Sequence, residues 1–231
     1  MDFEEAVIPA KSEQLAGGGD ILVQGYDSRY LAAFEHLMTV EGGYVNDPVD
    51  RGGETKFGIS LRFLVSEGQI DLDGDGAADF DLDMDGDIDG ADIRKLTLGD
   101  AKFLYHRCFW QRGQMAMLPR PLGEAVFDQA VNGGMIAAGK LLQRAVNTCL
   151  LSVQHTPKPQ ALKVDGQIGQ ATREAVMFVL RFPGLGMPEL LATYRAAAEQ
   201  RYRSIAFNNP PQKRFLNGWV ARAKALGRWA A

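Results

Sequence analysis

The chain has 231 residues, 46% hydrophobic and 23% charged, with a formal net charge of −4. This is the make-up of an ordinary globular protein, with enough apolar residues for one sizeable core, and it excludes a disordered or collagen-like chain. No apolar run is long enough to span a bilayer, and two cysteines, Cys108 and Cys149, are too few for a disulfide framework.

Residues 1–26 lack the basic start and apolar core of a Sec signal, so they read as a flexible extension of a chain made in the cytoplasm. Residues 28–41 then read as a helix. Leu31, Phe34, Leu37, Met38 and Glu41 fall on one face, Asp27 or Ser28 can cap the start, and Gly42–Gly43 end it. Glu41 therefore continues an apolar stripe at the helix C-terminus. Apolar neighbours and the negative end of the helix both disfavour its ionised form, which raises the carboxyl pKa towards neutrality.

After this helix comes EGGYVNDPVDRGGETKFGIS, residues 41–60. Asp50 follows Glu41 by nine positions and Thr55 follows Asp50 by five. Asp47 and Asp50 lie among Gly and Pro in a turn-rich, solvated stretch that favours ionised carboxylates. Glycosidic bond hydrolysis needs these parts: an acid that keeps its proton to release the leaving oxygen, and a second polar group that steers water or offsets developing positive charge.

The pattern EGGYVNDPxDxGGxTxxGIS resembles the signature of glycoside hydrolase family 108, the N-acetylmuramidases of the lysozyme superfamily. The resemblance implies a mainly α-helical, lysozyme-like fold with Glu41 as the essential acid. Asp50 and Thr55 become its catalytic partners, with Asp47 the competitor of Asp50. Tyr44, an aromatic, reads either as a sugar-stacking contact or as core. Arg51 stands where relatives often carry Pro or another small residue.

Residues 71–92, DLDGDGAADFDLDMDGDIDGAD, hold ten of the 29 acidic residues and no Lys or Arg. The second half has the spacing of an EF-hand-type loop. Asp81, Asp83 and Asp85 stand at positions 1, 3 and 5, Gly86 at the sharp turn, Asp87 at the backbone-carbonyl position, Ile88 and Asp89 next, and Asp92 at position 12. The Asp at position 12 resembles the calcium loops of dockerins. Asp71, Asp73 and Asp75 begin the same pattern with Gly76 and Asp79, but Leu82 occupies position 12, so the first loop is incomplete. One or two calcium ions are therefore expected, with a structural role; without a cation the carboxylates repel. The segment is an insertion relative to the usual family pattern.

A helix over 97–110 with a capping-box start at Thr97 and Asp100 comes next; Cys108 in it and Cys149 further on read as buried free thiols, with a disulfide between them as the alternative. Pro121 opens another helix, which runs through FDQAVNGG to Gly133–Gly134. The family has a similar VN-G element, so Asn132 is either a sugar contact or a helix C-cap. Tyr105 and Trp110 read as core or as sugar platforms.

From Leu141, LLQRAVN followed by VDGQIGQAT at 164–172 resembles the predicted peptidoglycan-binding domain that completes family members, here with an extra loop in the gap. Helices are expected over 188–206 and 212–229, the last with an apolar stripe of Phe215, Leu216, Trp219 and Leu226. Outside the insertion basic residues exceed acidic ones, 25 against 19, and Arg195 to Arg228 supply eight basic residues against Glu199. This suits peptidoglycan and an anionic envelope surface. No nucleic-acid motif accompanies the charge.

The expected organisation is an N-terminal extension (1–26), a lysozyme-like region (27–134) containing the insertion, and a C-terminal helical region (135–231) packed on it. The expected protein is a monomeric peptidoglycan hydrolase of the phage endolysin type, acting at the cell wall. A lytic transglycosylase and a non-enzymatic calcium-dependent wall binder are the rival readings.

Overall fold

The computed structural model describes residues 25–40, 54–153 and 159–230. Glu41, Tyr44, Asp47 and Asp50 lie outside the described residues. The fold is mainly α. Helix α1 (Ser28–Val40) begins where Asp27 accepts the Tyr30 amide at 2.9 Å, so Asp27 caps it. A two-stranded antiparallel hairpin follows, β1 (Thr55–Lys56) and β2 (Ile59–Ser60), and Ser60 caps α2 (Leu61–Glu67). Helices α3 (Gly90–Lys95) and α4 (Leu98–Tyr105) both start in complete capping boxes, Asp89 with Asp92 and Thr97 with Asp100.

The expected helix over 97–110 keeps its direction but changes form. From His106 to Gln111 the turns widen to a π-helix. His106, Cys108, Phe109 and Trp110 are all buried along this segment. Tyr105 and Trp110 are core residues, 2% exposed, with their polar ends tied to Phe57 O at 3.1 Å and to Asp27 at 2.9 Å. Neither ring is open to a sugar.

Helix α5 (Leu122–Gly133) is the axis of the molecule, with Leu122 to Ala130 buried without a break. A helix buried all round must satisfy its polar residues internally. Glu124 takes the fork of Arg29 from α1 at 2.8 and 2.9 Å, Asp128 takes Arg222, and Gln129 pairs with the Tyr202 hydroxyl at 3.1 Å.

Gly134 alone separates α5 from α6 (Met135–Ser152). Then come α7 (Gln170–Arg181), α8 (Met187–Asn208) and α9 (Leu216–Ala225), and α8 packs against both α6 and α9. The last helix is shorter than expected. Residues 210–215 form a 3₁₀ turn after Asn209, and α9 ends before Gly227, whose φ is +70°. Of its apolar stripe Leu226 is buried and Trp219 stacks on Tyr202 at 5.4 Å, whereas Phe215 is exposed. Among the described residues no helix is long and apolar enough to cross a membrane.

Cys108 and Cys149 are free and buried. Burial, reinforced by the charge of Glu67, pushes the Cys108 thiol up to about 12. At pH 8 this leaves it with roughly a thousandfold less thiolate than an ordinary cysteine. Iodoacetamide labelling at pH 8, followed by mass spectrometry, is expected to miss Cys108 in the native protein and modify it in denaturant. Labelling at equal rates in both states would contradict the burial.

Candidate active site

The segment bearing the predicted acid joins two anchored ends. On one side is α1, whose core face (Tyr30, Phe34, Leu37) is at most 2% exposed and is held by the Arg29–Glu124 pair. On its flank a groove of about 280 Å³ opens between Leu31, Phe34, Glu35 and Met38 of α1 and Leu98 and Lys102 of α4. Three residues of the predicted stripe, Leu31, Phe34 and Met38, line that groove, and Glu41 is the next position of the same stripe in sequence.

On the other side is the hairpin. Phe57 and Gly58 turn it with φ of 51° and 75°, the two left-handed residues that a two-residue hairpin loop requires. Phe57 is a costly choice there, and the Tyr105 hydroxyl holds its carbonyl. The Tyr105 ring also lies 6.0 Å from Phe34, so one residue ties α1 to the turn. Thr55 sits on β1, half-buried and paired across the strands with Ser60.

The hairpin is tied in turn to the Asp-rich insertion. Nη1 of Arg94 in α3 donates to both carboxylate oxygens of Glu54, at 2.9 and 2.8 Å, and Lys56 donates to Arg94 O at 2.5 Å. The insertion packs through Phe80 and Ile88, both buried, with the Phe80 ring 6.0 Å from Phe103 of α4. The backbone of α2 closes so tightly on this contact that a Cβ on Gly68 would stand 3.0 Å from that of Phe80.

Each half of the insertion brings three carboxylates together. One ligand oxygen from each of Asp71, Asp73 and Asp75 lies within 4.8 Å of the others, and the same holds for Asp81, Asp83 and Asp85. The first carboxylate of each loop organises its turn: Asp71 accepts the Gly74 and Gly76 amides, and Asp81 accepts those of Asp85 and Gly86. Gly86 has a φ of +98°, the left-handed turn anticipated from its position.

Asp92 and Asp87 are not in the second trio. Asp92 is fully buried, and its oxygens take the amides of Leu82 at 2.6 Å, Asp83 at 3.3 Å and Asp89 at 2.7 Å. Its carboxylate staples the loop to α3. Oδ1 of Asp83 is buried with no donor. The Asp83 carboxyl is held above the ordinary range, first by desolvation and then by the charges of Asp85 and Asp92; for Asp87 the charge of Asp85 comes first and desolvation second.

Asn132, half-buried in the last turn of α5, donates to the hydroxyl of Tyr202. One of its amide hydrogens is thus committed to joining α5 to α8. Sequence reasoning missed the long-range pairs: Arg29–Glu124, which joins α1 to α5, and Asp128–Arg222 at 2.8 Å with the stacking of His36 on Trp229 at 4.4 Å, which join α5 and α1 to the C-terminal region. Their partners stand 95, 94 and 193 positions apart, and no local spacing connects them.

The Q…DG…T pattern of the C-terminal region is an internal lock. Gln143, 2% exposed, donates to Asp165 at 2.8 Å, to Gln167 O at 3.0 Å and to the Thr172 hydroxyl at 3.3 Å, and accepts the Gly166 amide at 2.7 Å. One turn on, Asn147 clamps Leu162 by both backbone groups. The Gln143 amide, then the Gln167 amide, holds the Asp165 carboxyl below its usual range.

Comparison with known proteins agrees with this architecture. Residues 34–134 match the family model for glycosyl hydrolase 108, and residues 137–224 match the model for a predicted peptidoglycan domain. Among solved structures, SagA of Brucella abortus superposes with a TM-score of 0.58 over 86% of this chain and 95% of that one, at 23% identity, which shows a shared fold. No curated protein matches significantly.

A hydrolase region that runs from mid-α1 to the end of α5, followed directly by a peptidoglycan domain, defines a glycoside hydrolase of the bacterial cell wall, a peptidoglycan hydrolase. Its hydrolase region, residues 34–134, is a glycosyl hydrolase 108 domain.

Proposed function

We propose that this chain hydrolyses the β-1,4 bond between N-acetylmuramic acid and N-acetylglucosamine, with Glu41 as general acid. The observation that carries this reading is the family 108 match: it encloses Glu41 and is followed at once by a peptidoglycan domain. Glu41 passes its proton to the leaving sugar oxygen, water adds to the muramic acid anomeric carbon, and the second water proton returns to a carboxylate. Asp50, or its neighbour Asp47, steers that water or balances the positive charge of the transition state. Thr55 on β1 positions the water, and Tyr44 and Asn132 contact the sugars. The protein acts as a monomer at the wall, in the manner of an endolysin made in the cytoplasm, and its basic C-terminal helices face an anionic envelope.

The test is digestion of purified murein with mass spectrometry of the products. Reducing muropeptides ending in N-acetylmuramic acid are expected. Anhydro ends would move the enzyme to the transglycosylases, and reducing N-acetylglucosamine ends would move it to the glucosaminidases.

Calcium belongs to the same reading. The trio Asp81, Asp83 and Asp85 would hold one ion, with the buried Oδ1 of Asp83 among its ligands, and Asp71, Asp73 and Asp75 a second. Bound there, calcium supplies the positive charge that lets these carboxylates ionise together. The trio leads into α3, and α3 grips Glu54 and Lys56 on either side of Thr55. Ordering the loop therefore firms the hairpin beside the catalytic segment. At a hundredfold excess over Kd, calcium is expected to add about 2.7 kcal/mol, raising Tm by roughly 5–10 °C. Asp83→Asn should abolish that rise. Equal Tm and equal activity in calcium and in chelator would end the calcium reading while leaving the hydrolase reading intact.

A further inference from the structure

We propose that the groove between α6 and α8 is a second substrate site, which holds the acidic stem peptide of peptidoglycan rather than its sugars. This rests on the reading of the substrate as peptidoglycan and places a contact well away from the bond that is cut.

The groove has a volume of about 920 Å³, the size class of a ligand of several residues. Its concavity comes from small side chains: Ala196 and Ala197 of α8 leave space along the helix-helix seam. Its rim is cationic. Arg144 of α6 and Arg201 of α8 line it, and no Asp or Glu does. Arg144 is exposed, and its guanidinium makes no hydrogen bond or ion pair with any described residue; only its carbonyl is engaged, by the Thr148 hydroxyl. Arg201 donates one amine to Gly133 O at 3.3 Å, leaving most of its fork uncommitted.

Gln200, Asn208 and Asn209 add side-chain amides on the same wall, each able both to donate and to accept. Guanidinium forks match carboxylates in pairs, and side-chain amides match peptide groups. The lining contains no aromatic residue. A sugar ring is ordinarily held by an aromatic face, whereas a peptide with free carboxylates needs charge and amides. The glycan carries its negative charge on the stem peptide, so the groove's chemistry selects the stem.

The site is also well placed. Arg201 touches Gly133, at the end of the helix that carries Asn132, so a stem held in the groove leads back towards the catalytic region. The Q…DG…T lock faces its own turn and is fully occupied, so wall recognition by this domain falls to a different face.

The test uses the full chain carrying Glu41→Gln, so that ligands survive, and measures binding by calorimetry. Three probes are compared: a disaccharide–tetrapeptide muropeptide, the same disaccharide without a stem and with its lactyl carboxyl capped as an amide, and the free tetrapeptide. The stem-bearing probe is expected to bind at least about tenfold more tightly than the stem-free one, the size of a lost charged hydrogen bond. Arg144→Glu should erase that difference at unchanged Tm, and Arg144→Lys should restore part of it.

Equal binding of stem-bearing and stem-free probes, no binding of either, or indifference to Arg144→Glu would each overturn the proposal. The bond assignment stands or falls separately, on the product ends released by the wild-type chain. Stem-dependent binding with anhydro ends would keep this site and discard the muramidase, and reducing muramic ends without stem dependence would do the reverse.

Discussion

Glu41→Gln is expected to reduce release of soluble muropeptides by about 10²–10⁴-fold, the usual contribution of a positioned general acid, with Tm unchanged. The amide keeps the shape of the side chain but has no proton of the required acidity to give the leaving oxygen. Stability should hold because the core of α1 is carried by other residues: Tyr30, Phe34 and Leu37 are buried and Arg29 anchors the helix to Glu124. The measurement is mass-spectrometric quantification of products from purified murein, alongside thermal melting of both proteins. Full activity in Glu41→Gln would remove Glu41 from the chemistry. Asp50→Asn separates the mechanisms further: a hydrolase that relies on a second carboxylate should lose activity, whereas a one-glutamate transglycosylase should tolerate the change.

Gly139→Ala is expected to destabilise the protein by about 2–4 kcal/mol, a Tm loss of roughly 5–15 °C for a chain of this size. Two effects oppose each other. Alanine is the better helix former by about 1 kcal/mol, and α6 is an ordinary helix at that position. Against it, a Cβ there would overlap Gly166 O and stand 2.7 Å from the carbonyl carbon and 3.0 Å from the Cα of Gly166. These are backbone atoms, and Gly166 is itself held at a φ of +89° by its bond to Gln143. The turn cannot move without releasing the Gln143 lock, so the clash wins. Gly218→Ala in α9 is the control: nothing lies within 4 Å of its Cβ position, so the same substitution should raise Tm slightly. Calorimetric melting decides both, and a gain in both would mean that α6 and the 165–167 turn do not meet as described.

Much of this protein is legible in local patterns because local physics sets them. The start of α1, the capping box of Thr97 with Asp100, the stop at Gly133–Gly134 and the sharp turn at Gly86 each depend on residues within a few positions. Capping hydrogen bonds and left-handed glycines act over one turn of chain, so spacing reveals them. The hairpin was not legible, because Phe57 occupies a left-handed position that a β-turn pattern assigns to Asn, Asp or Gly. What makes it tolerable is Tyr105, 48 positions away. The π-helix at 106–111 was hidden too, because apolar periodicity does not distinguish a π-turn from an α-turn over six residues.

Site chemistry divides along the same line. The order of Glu41, Asp50 and Thr55, the two runs of alternating aspartates and the cationic C-terminal helices are statements about residue type and spacing, and the sequence by itself determined them. The mainly α class followed from the family resemblance, with helical periodicity placing individual helices. Tertiary structure alone decided which aspartates of the second loop converge: Asp81, Asp83 and Asp85 meet, while Asp92 turns inward to three backbone amides. It alone turned Gln143, Asp165 and Thr172 from a wall-binding pattern into an internal lock, and assembled the α6–α8 groove from residues that are only surface polar positions in sequence. The physical reason is common to all of these. A carboxylate, amide or guanidinium is defined by the partner it meets, and that partner is brought up by packing over tens to hundreds of residues, where periodicity carries no information.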